Sequence, residues 1–182
     1  MRNNQRQVAI TGIGIISALG GSIEETYTSL REGKTGIKMS NPFSLPDYDM
    51  MLGVVSEDTL ARACDKYNIK GEDNSELFLL CSLEEAIENA GLKDYDNKGC
   101  LLNQERMGVI IGTILGGIQS YELFLGGSVD TQRLRSYPLF VLTQKVADRA
   151  GCRGKRQTVS TACSSSTIAI GLAYEEIRRG QA

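Results

Sequence analysis

Cys163 lies in Gln157-Thr-Val-Ser-Thr-Ala-Cys-Ser-Ser-Ser166, where a short β-like run feeds a helix built from small residues. A thiol at a helix N-terminus is well placed to act as a nucleophile, because the helix dipole and its unpaired N–H groups favour thiolate over thiol. The same donors suit an oxyanion developing on a substrate carbonyl. The arrangement follows the logic of the strand–turn–helix nucleophile elbow, with sulfur in place of a serine hydroxyl. Yet the chain has no histidine, and acyl transfer through cysteine ordinarily draws on a positioned acid or base. Position alone leaves two readings open, a catalytic thiol or an inert core cysteine. Small polar neighbours set Cys163 apart from Cys64 and Cys81, which fall on apolar helix faces and read as core. Cys100 and Cys152 have no special context.

Two glycine segments compete for a binding role. Gly12-Ile-Gly14 follows an apolar run, as in a dinucleotide fingerprint, and Glu32 lies at a ribose-contact distance in sequence. Ser17 replaces the third glycine, and the next helix starts only near Ser22, so a close-packed strand-to-loop turn is the better reading. Gly112-Thr-Ile-Leu-Gly-Gly117 lacks the Lys-Ser/Thr ending of a P-loop. It reads as a turn that brings backbone close to a sheet edge.

The elements that position these segments alternate. Val8–Ile15 is an apolar, β-branched run suited to a strand buried on both faces. Ser22-Ile-Glu-Glu25 predicts a capping box, followed by Ile23, Tyr27 and Leu30 at helical spacing and a stop at Gly33. Residues 36–55 read as loop with a short strand near Leu52–Val55. Ser56 predicts the cap of a helix with Leu60, Cys64 and Tyr67 on one face. A further helix is expected from Ser75 to Ala90, stopped by Gly91. Met107–Thr113 predicts a second buried strand, and a short helix with Tyr121 and Phe124 lies between two glycine pairs. Leu139–Ala150 predicts a helix on which Lys145 and Arg149 are solvated. Gln157–Thr161 predicts the third strand. The helix after Cys163 ends at Gly180. Its front half is small or apolar all round, which predicts burial on most sides, and Glu175 pairs with Arg179 one turn on. The alternation argues for an α/β layer with a largely parallel sheet.

Composition bounds the rest. A chain of 182 residues is long enough for one domain with a core, and 41% hydrophobic and 23% charged residues are ordinary for a globular protein. A net charge of −2 gives no attraction to nucleic acid or anionic membrane. Five cysteines without paired spacing read as reduced thiols in a cytoplasmic protein, and the lack of histidine and of C-x-x-C argues against zinc. Arg2 and Arg6 precede the apolar Val8–Ile16, but glycines interrupt that run and no cleavage site follows, so no signal peptide is expected. No transmembrane helix is expected either.

Four segments, in order, carry a resemblance: Val8-Ala-Ile-Thr-Gly-Ile-Gly-Ile-Ile-Ser-Ala-Leu-Gly20, Glu84-Glu-Ala-Ile-Glu-Asn-Ala-Gly91, Arg106-Met-Gly-Val-Ile-Ile-Gly-Thr-Ile-Leu-Gly-Gly117, and Thr158-Val-Ser-Thr-Ala-Cys-Ser-Ser-Ser166 continuing to Ile177-Arg-Arg-Gly180. With them the chain resembles the N-terminal half of the β-ketoacyl synthases, condensing enzymes of the thiolase superfamily. The resemblance implies a single incomplete thiolase-like domain over residues 1–182, α/β in class, ending before the last core strands of a protein about twice as long. It implies that Cys163 accepts an acyl group from an acyl carrier protein and that a malonyl-carrier substrate decarboxylates to attack the thioester. It further implies that the Cys163 N–H is one oxyanion donor and that Leu115 lines the acyl pocket. No redox cofactor or metal is implied. The family's active-site histidines and lysine, and the second oxyanion donor, belong to the C-terminal half, so this chain alone is expected to bear the nucleophile without completing the reaction.

The segment Ser136-Tyr-Pro-Leu-Phe-Val-Leu-Thr-Gln-Lys145 departs from the family's Phe- and Pro-rich loop, so no acyl length is implied. By analogy the protein pairs as a homodimer, or as a heterodimer with a ketosynthase-like partner, with Thr158–Thr161 near the interface. The alternative is a non-catalytic partner subunit that shapes the pocket of an active synthase. Such subunits usually lack the cysteine, so Cys163 favours the enzyme. A thiolase using coenzyme A esters fits less well with the three serines after the cysteine.

Overall fold

The computed structural model describes residues 7–41, 46–92, 103–128 and 131–182. Arg2, Arg6 and Cys100 lie outside them. In chain order the elements are α1 (Ile23–Arg31), β1 (Ile37–Ser40), β2 (Met50–Gly53), α2 (Glu57–Tyr67), α3 (Asn74–Asn89), β3 (Val109–Gly112), α4 (Ile118–Leu125), α5 (Leu139–Arg149), β4 (Arg156–Val159) and α6 (Ser165–Arg178), with single 3-10 turns at Gln104–Arg106 and Arg133–Ser136.

β3 and β4 pair in parallel, with Val109 opposite Arg156 and Gly112 opposite Val159. α4 and α5 form the crossover between them. Alternation along β3 sends Val109 and Ile111 to one face, where they join Ala63, Tyr67, Leu80, Cys81, Val146 and Ala147 from α2, α3 and α5 in the core. Gly112 faces the other side, against the backbone of Ser165 at the start of α6. The strand pair is therefore layered between helices, the expected α/β arrangement. Fully burying a valine- or leucine-sized side chain in such a core stabilises by about 1.5–3 kcal/mol.

Residues 36–55 hold more order than a loop, because β1 and β2 form an antiparallel hairpin with Ile37 opposite Gly53. A larger correction concerns Val8–Ile15. This segment forms no strand among the described residues, and Ile10 is 79% exposed. Two of its backbone N–H groups are taken by α3 side chains instead. The Ile13 N–H donates to Asn89 Oδ1 at 3.1 Å and the Ile15 N–H to Glu85 Oε2 at 2.9 Å. Gly12 and Gly14 permit this approach, since a Cβ on them would stand 2.1 Å from the Ala86 carbonyl oxygen and 1.9 Å from that of Ser82. Their role is close packing, though against a helix rather than in a strand-to-loop turn, and the ribose role for Glu32 loses its basis.

The Glu84–Gly91 segment is now legible residue by residue. Glu85 also accepts the Ile23 N–H at the start of α1 (2.8 Å), Glu88 accepts from Lys66 and Tyr67 (both 3.0 Å), and Gly91 ends α3 at φ +68°. The capping box of α1 forms with a shift. Ser22 Oγ accepts the Glu25 N–H, while Glu25 reaches back to the N–H of Gly21. α1 buries Thr26, and Tyr27 and Leu30 stay exposed.

Lys145 and Arg149 are not simply solvated. α5 packs on α3, and there Lys145 Nζ meets Glu76 Oε2 at 2.5 Å and Arg149 Nε meets Glu84 Oε1 at 2.5 Å. Both carboxylates belong to buried residues, so the cations satisfy charges that the helix interface removes from water. Lys145→Met is expected to lower stability by about 2–4 kcal/mol, because it strands the Glu76 carboxylate. Urea unfolding checks this, and the double variant Glu76→Gln/Lys145→Met should recover most of the loss.

α6 also differs from expectation. Only Ser165 and Ala169 are buried, and Ile170 is 65% exposed. One face lies on β3 and β4, and its other apolar face has no covering element among the described residues. No helix of the described residues is long and apolar enough to cross a membrane.

Candidate active site

β4 ends at Val159 and α6 begins at Ser165, so five residues make the turn that carries Cys163. Ala162 adopts φ +52°, the left-handed region that costs an L-residue about 1–2 kcal/mol. This reverses the chain directly before the cysteine. Two serines hold the reversal. Ser165 Oγ accepts the Thr161 N–H at 2.9 Å and donates to the Ala162 carbonyl at 2.7 Å, while Ser164 Oγ donates to the Thr161 carbonyl at 2.7 Å. Ser165 is buried and its hydroxyl is fully used, so it locks the elbow rather than meeting substrate.

Cys163 is exposed. No hydrogen bond engages its N–H, or those of Ser166 and Thr167, within the described residues. These are the orphan donors of a helix start. They lie beside Cys163 at the positive end of the α6 dipole, where they can stabilise a carbonyl oxygen that gains negative charge.

The neighbouring loop is brought to the same edge. β3 and β4 are parallel and adjacent, so the loop carrying Leu115 and the turn carrying Cys163 leave the same carboxyl end of the sheet, the usual place for a site in an α/β fold. The Thr113 N–H donates to the Val159 carbonyl at 3.0 Å. Gly112 lets α6 start against β3, since a Cβ there would lie 2.4 Å from Ser165 C and O. Leu115 is exposed, as is Ile114. The glycine segment thus acts as a turn of close approach. Gly116 sits at φ +55°, and the Ser75 hydroxyl holds its carbonyl at 2.8 Å.

Asp73 organises this loop from behind, and sequence reading passed over it. Its carboxylate is buried and caps two helices at once. Oδ1 accepts the Ser75 N–H of α3 at 2.9 Å, and Oδ2 accepts both the N–H and the hydroxyl of Ser120 in α4, at 3.0 and 3.1 Å. Gly117 has no side chain to cap α4, so Asp73 supplies the missing acceptor. The Asp73-x-x-Glu76 spacing was the available signal, a capping-box pattern one turn before the apolar stripe of α3.

Among the other thiols, burial pushes Cys152 up, and burial with the neighbouring Cys64 pushes Cys81 up to about 12. Cys81 and Cys152 are buried, as the reading of Cys81 as core anticipates. The described residues hold no cluster of three or more His, Cys, Asp or Glu suited to a metal ion.

Residues 5–182 match the family described as β-ketoacyl synthase, N-terminal domain. The chain is 28% identical over 190 residues to 3-oxoacyl-[acyl-carrier-protein] synthase 2 of Staphylococcus aureus strain N315, covering all of this chain and 44% of that protein. To 3-oxoacyl-[acyl-carrier-protein] synthase 1 of Escherichia coli K12 it is 29% identical over 188 residues, covering 97% of this chain and 44% of that one. The chain therefore spans less than half the length of these relatives. In fold it is similar to the ishigamide ketosynthase/chain length factor, with a TM-score of 0.78 at 23% identity over 97% of this chain and 45% of that chain. It is also similar to a type II PKS acyl-carrier protein in complex with its ketosynthase, with a TM-score of 0.76 at 21% identity over 98% of this chain and 44% of that chain.

Proposed function

The chain belongs to the β-ketoacyl synthase family, as its N-terminal domain, and on that premise we propose that Cys163 is the acyl-accepting nucleophile of a condensing enzyme. The observation that carries this reading is an exposed thiol at the start of α6 beside N–H groups that no other group uses. Cys163 Sγ attacks the carbonyl of an acyl thioester carried on the phosphopantetheine arm of an acyl carrier protein. The new C–S bond forms as the carrier's C–S bond breaks, and the thiol proton leaves with the carrier thiol. The Cys163 N–H holds the carbonyl oxygen while it bears charge. A malonyl group on a second carrier then loses carbon dioxide, and its carbanion attacks the Cys163 thioester and expels the thiolate. Residues beyond this chain supply the acid–base groups for that second half. Leu115 lines the channel for the acyl chain.

The acyl carrier protein is the partner this chemistry requires, and the reaction uses neither metal nor redox cofactor. The presence of Cys163 favours this reading over a partner subunit that only shapes a pocket.

The test is acyl loading. Incubation with an acyl-carrier thioester should add one acyl mass to the peptide containing Cys163, and Cys163→Ala should abolish the adduct without changing the unfolding midpoint. An adduct that persists in Cys163→Ala would overturn the assignment.

A further inference from the structure

α2 and α3 cross with the thiols of Cys64 and Cys81 in van der Waals contact, Sγ to Sγ 3.7 Å, both reduced. The two differ in access. Cys81 is 1% exposed within the core. Cys64 is part-exposed and lines an open cleft of about 400 Å³ with Leu60, Ala61, Ile69, Lys70 and Leu77. A small neutral oxidant entering this cleft meets one sulfur and finds a second directly behind it. Neither Cys152 nor Cys163 has another thiol within 4 Å among the described residues.

We propose that Cys64 and Cys81 form an oxidant-responsive thiol pair, in which Cys64 attacks a hydroperoxide and Cys81 resolves the product into a disulfide. With hydrogen peroxide, Cys64 Sγ takes one oxygen as the O–O bond breaks. The other oxygen leaves as water, and Cys64 becomes a sulfenic acid, oxidised by two electrons while the peroxide is reduced. Cys81 Sγ then attacks Cys64 Sγ, so that the S–S bond forms, the S–O bond breaks and the Cys81 proton departs with the hydroxyl as a second water. A disulfide needs about 2.05 Å between sulfurs, so the pair must close by roughly 1.7 Å, within reach of side-chain rotation and a small helix adjustment. Burial keeps Cys81 protonated at neutral pH, with its pKa pushed up to about 12, which assigns first attack to Cys64 and makes the resolving step slow. The product pins α2 to α3, the helix that holds the N-terminal segment, α5 and the Asp73 cap.

The inference is independent of the role given to Cys163. The native chain is treated with hydrogen peroxide, its remaining thiols are alkylated, and peptides are mapped without reduction. The expected result is a Cys64–Cys81 linked pair, lighter by two hydrogens and reversed by dithiothreitol, with Cys152 still reduced. In Cys81→Ser, Cys64 should persist as a dimedone-reactive sulfenic acid, and in Cys64→Ser, Cys81 should stay reduced. Oxidation of Cys163 while Cys64 and Cys81 both remain reduced overturns the proposal, as does a link from either to a different cysteine.

Discussion

Gly112→Ala is expected to slow acyl loading of Cys163 by about 100-fold or more and to cost about 2–3 kcal/mol of stability. A methyl group there would stand 2.4 Å from the carbonyl carbon and oxygen of Ser165, both backbone atoms. No rotamer relieves such a clash, so the first turn of α6 must move off β3. That turn carries the orphan N–H groups, and Ser165 ties the elbow through Thr161 and Ala162. Displacement therefore reaches the thiol and the unpaired N–H groups beside it together. Gly171 in the same helix supplies the contrast, because a Cβ there meets nothing within 4 Å. Gly171→Ala should leave loading unchanged and stabilise by about 0.5–1 kcal/mol, through better helix propensity and a less flexible unfolded chain. Loading kinetics and urea unfolding on the two variants check both halves of the argument.

Asp73→Ala is expected to lower stability by about 3 kcal/mol. The cap of α3 accounts for about 1 kcal/mol, and the rest comes from the Ser120 hydroxyl left without its acceptor in a site closed to water, while the Ser120 N–H keeps the Gly117 carbonyl at 3.1 Å. Asp73→Asn keeps one carbonyl acceptor and should cost about 1–2 kcal/mol. Because α4 follows the Gly116–Gly117 turn, the loss should also loosen the Leu115 loop. Amide hydrogen exchange over residues 113–120 should rise more than in α2. Equal increases in both would mean that Asp73 stabilises the whole domain without positioning that loop.

Much of this site was legible in the sequence because its signals are local. Ser56, Gly91, Gly151 and Gly180 mark helix ends through capping and positive φ, and the structure places each as expected. The strand–turn–helix placement of Cys163 likewise follows from a β-branched run meeting a small-residue run. What stayed hidden depends on partners distant in sequence. Val8–Ile15 has the composition of a buried strand, yet its backbone donors find Glu85 and Asn89 on α3, some seventy residues away. Lys145 looks like a solvated surface residue until α5 meets α3 and Glu76 appears opposite. The Asp73-x-x-Glu76 spacing could signal at most the cap of one helix, and only the fold brings Ser120 to the second oxygen of Asp73. The apolar front of α6 reads as buried on most sides, but among the described residues only its face on β3 and β4 is covered, and Ile170 stays exposed.

The central claim is that the junction of β4 and α6 makes Cys163 the thiol of this chain that acyl-type carbon electrophiles select. The most direct measurement is labelling with cerulenin, an epoxyamide that alkylates thiols by ring opening, with the modified peptides located by mass spectrometry and Cys163→Ala as the control. Selective modification of Cys163 over Cys64, Cys81, Cys100 and Cys152, lost in the control, is the predicted result. Uniform labelling of the accessible cysteines, or modification at Cys64 in preference to Cys163, would contradict it.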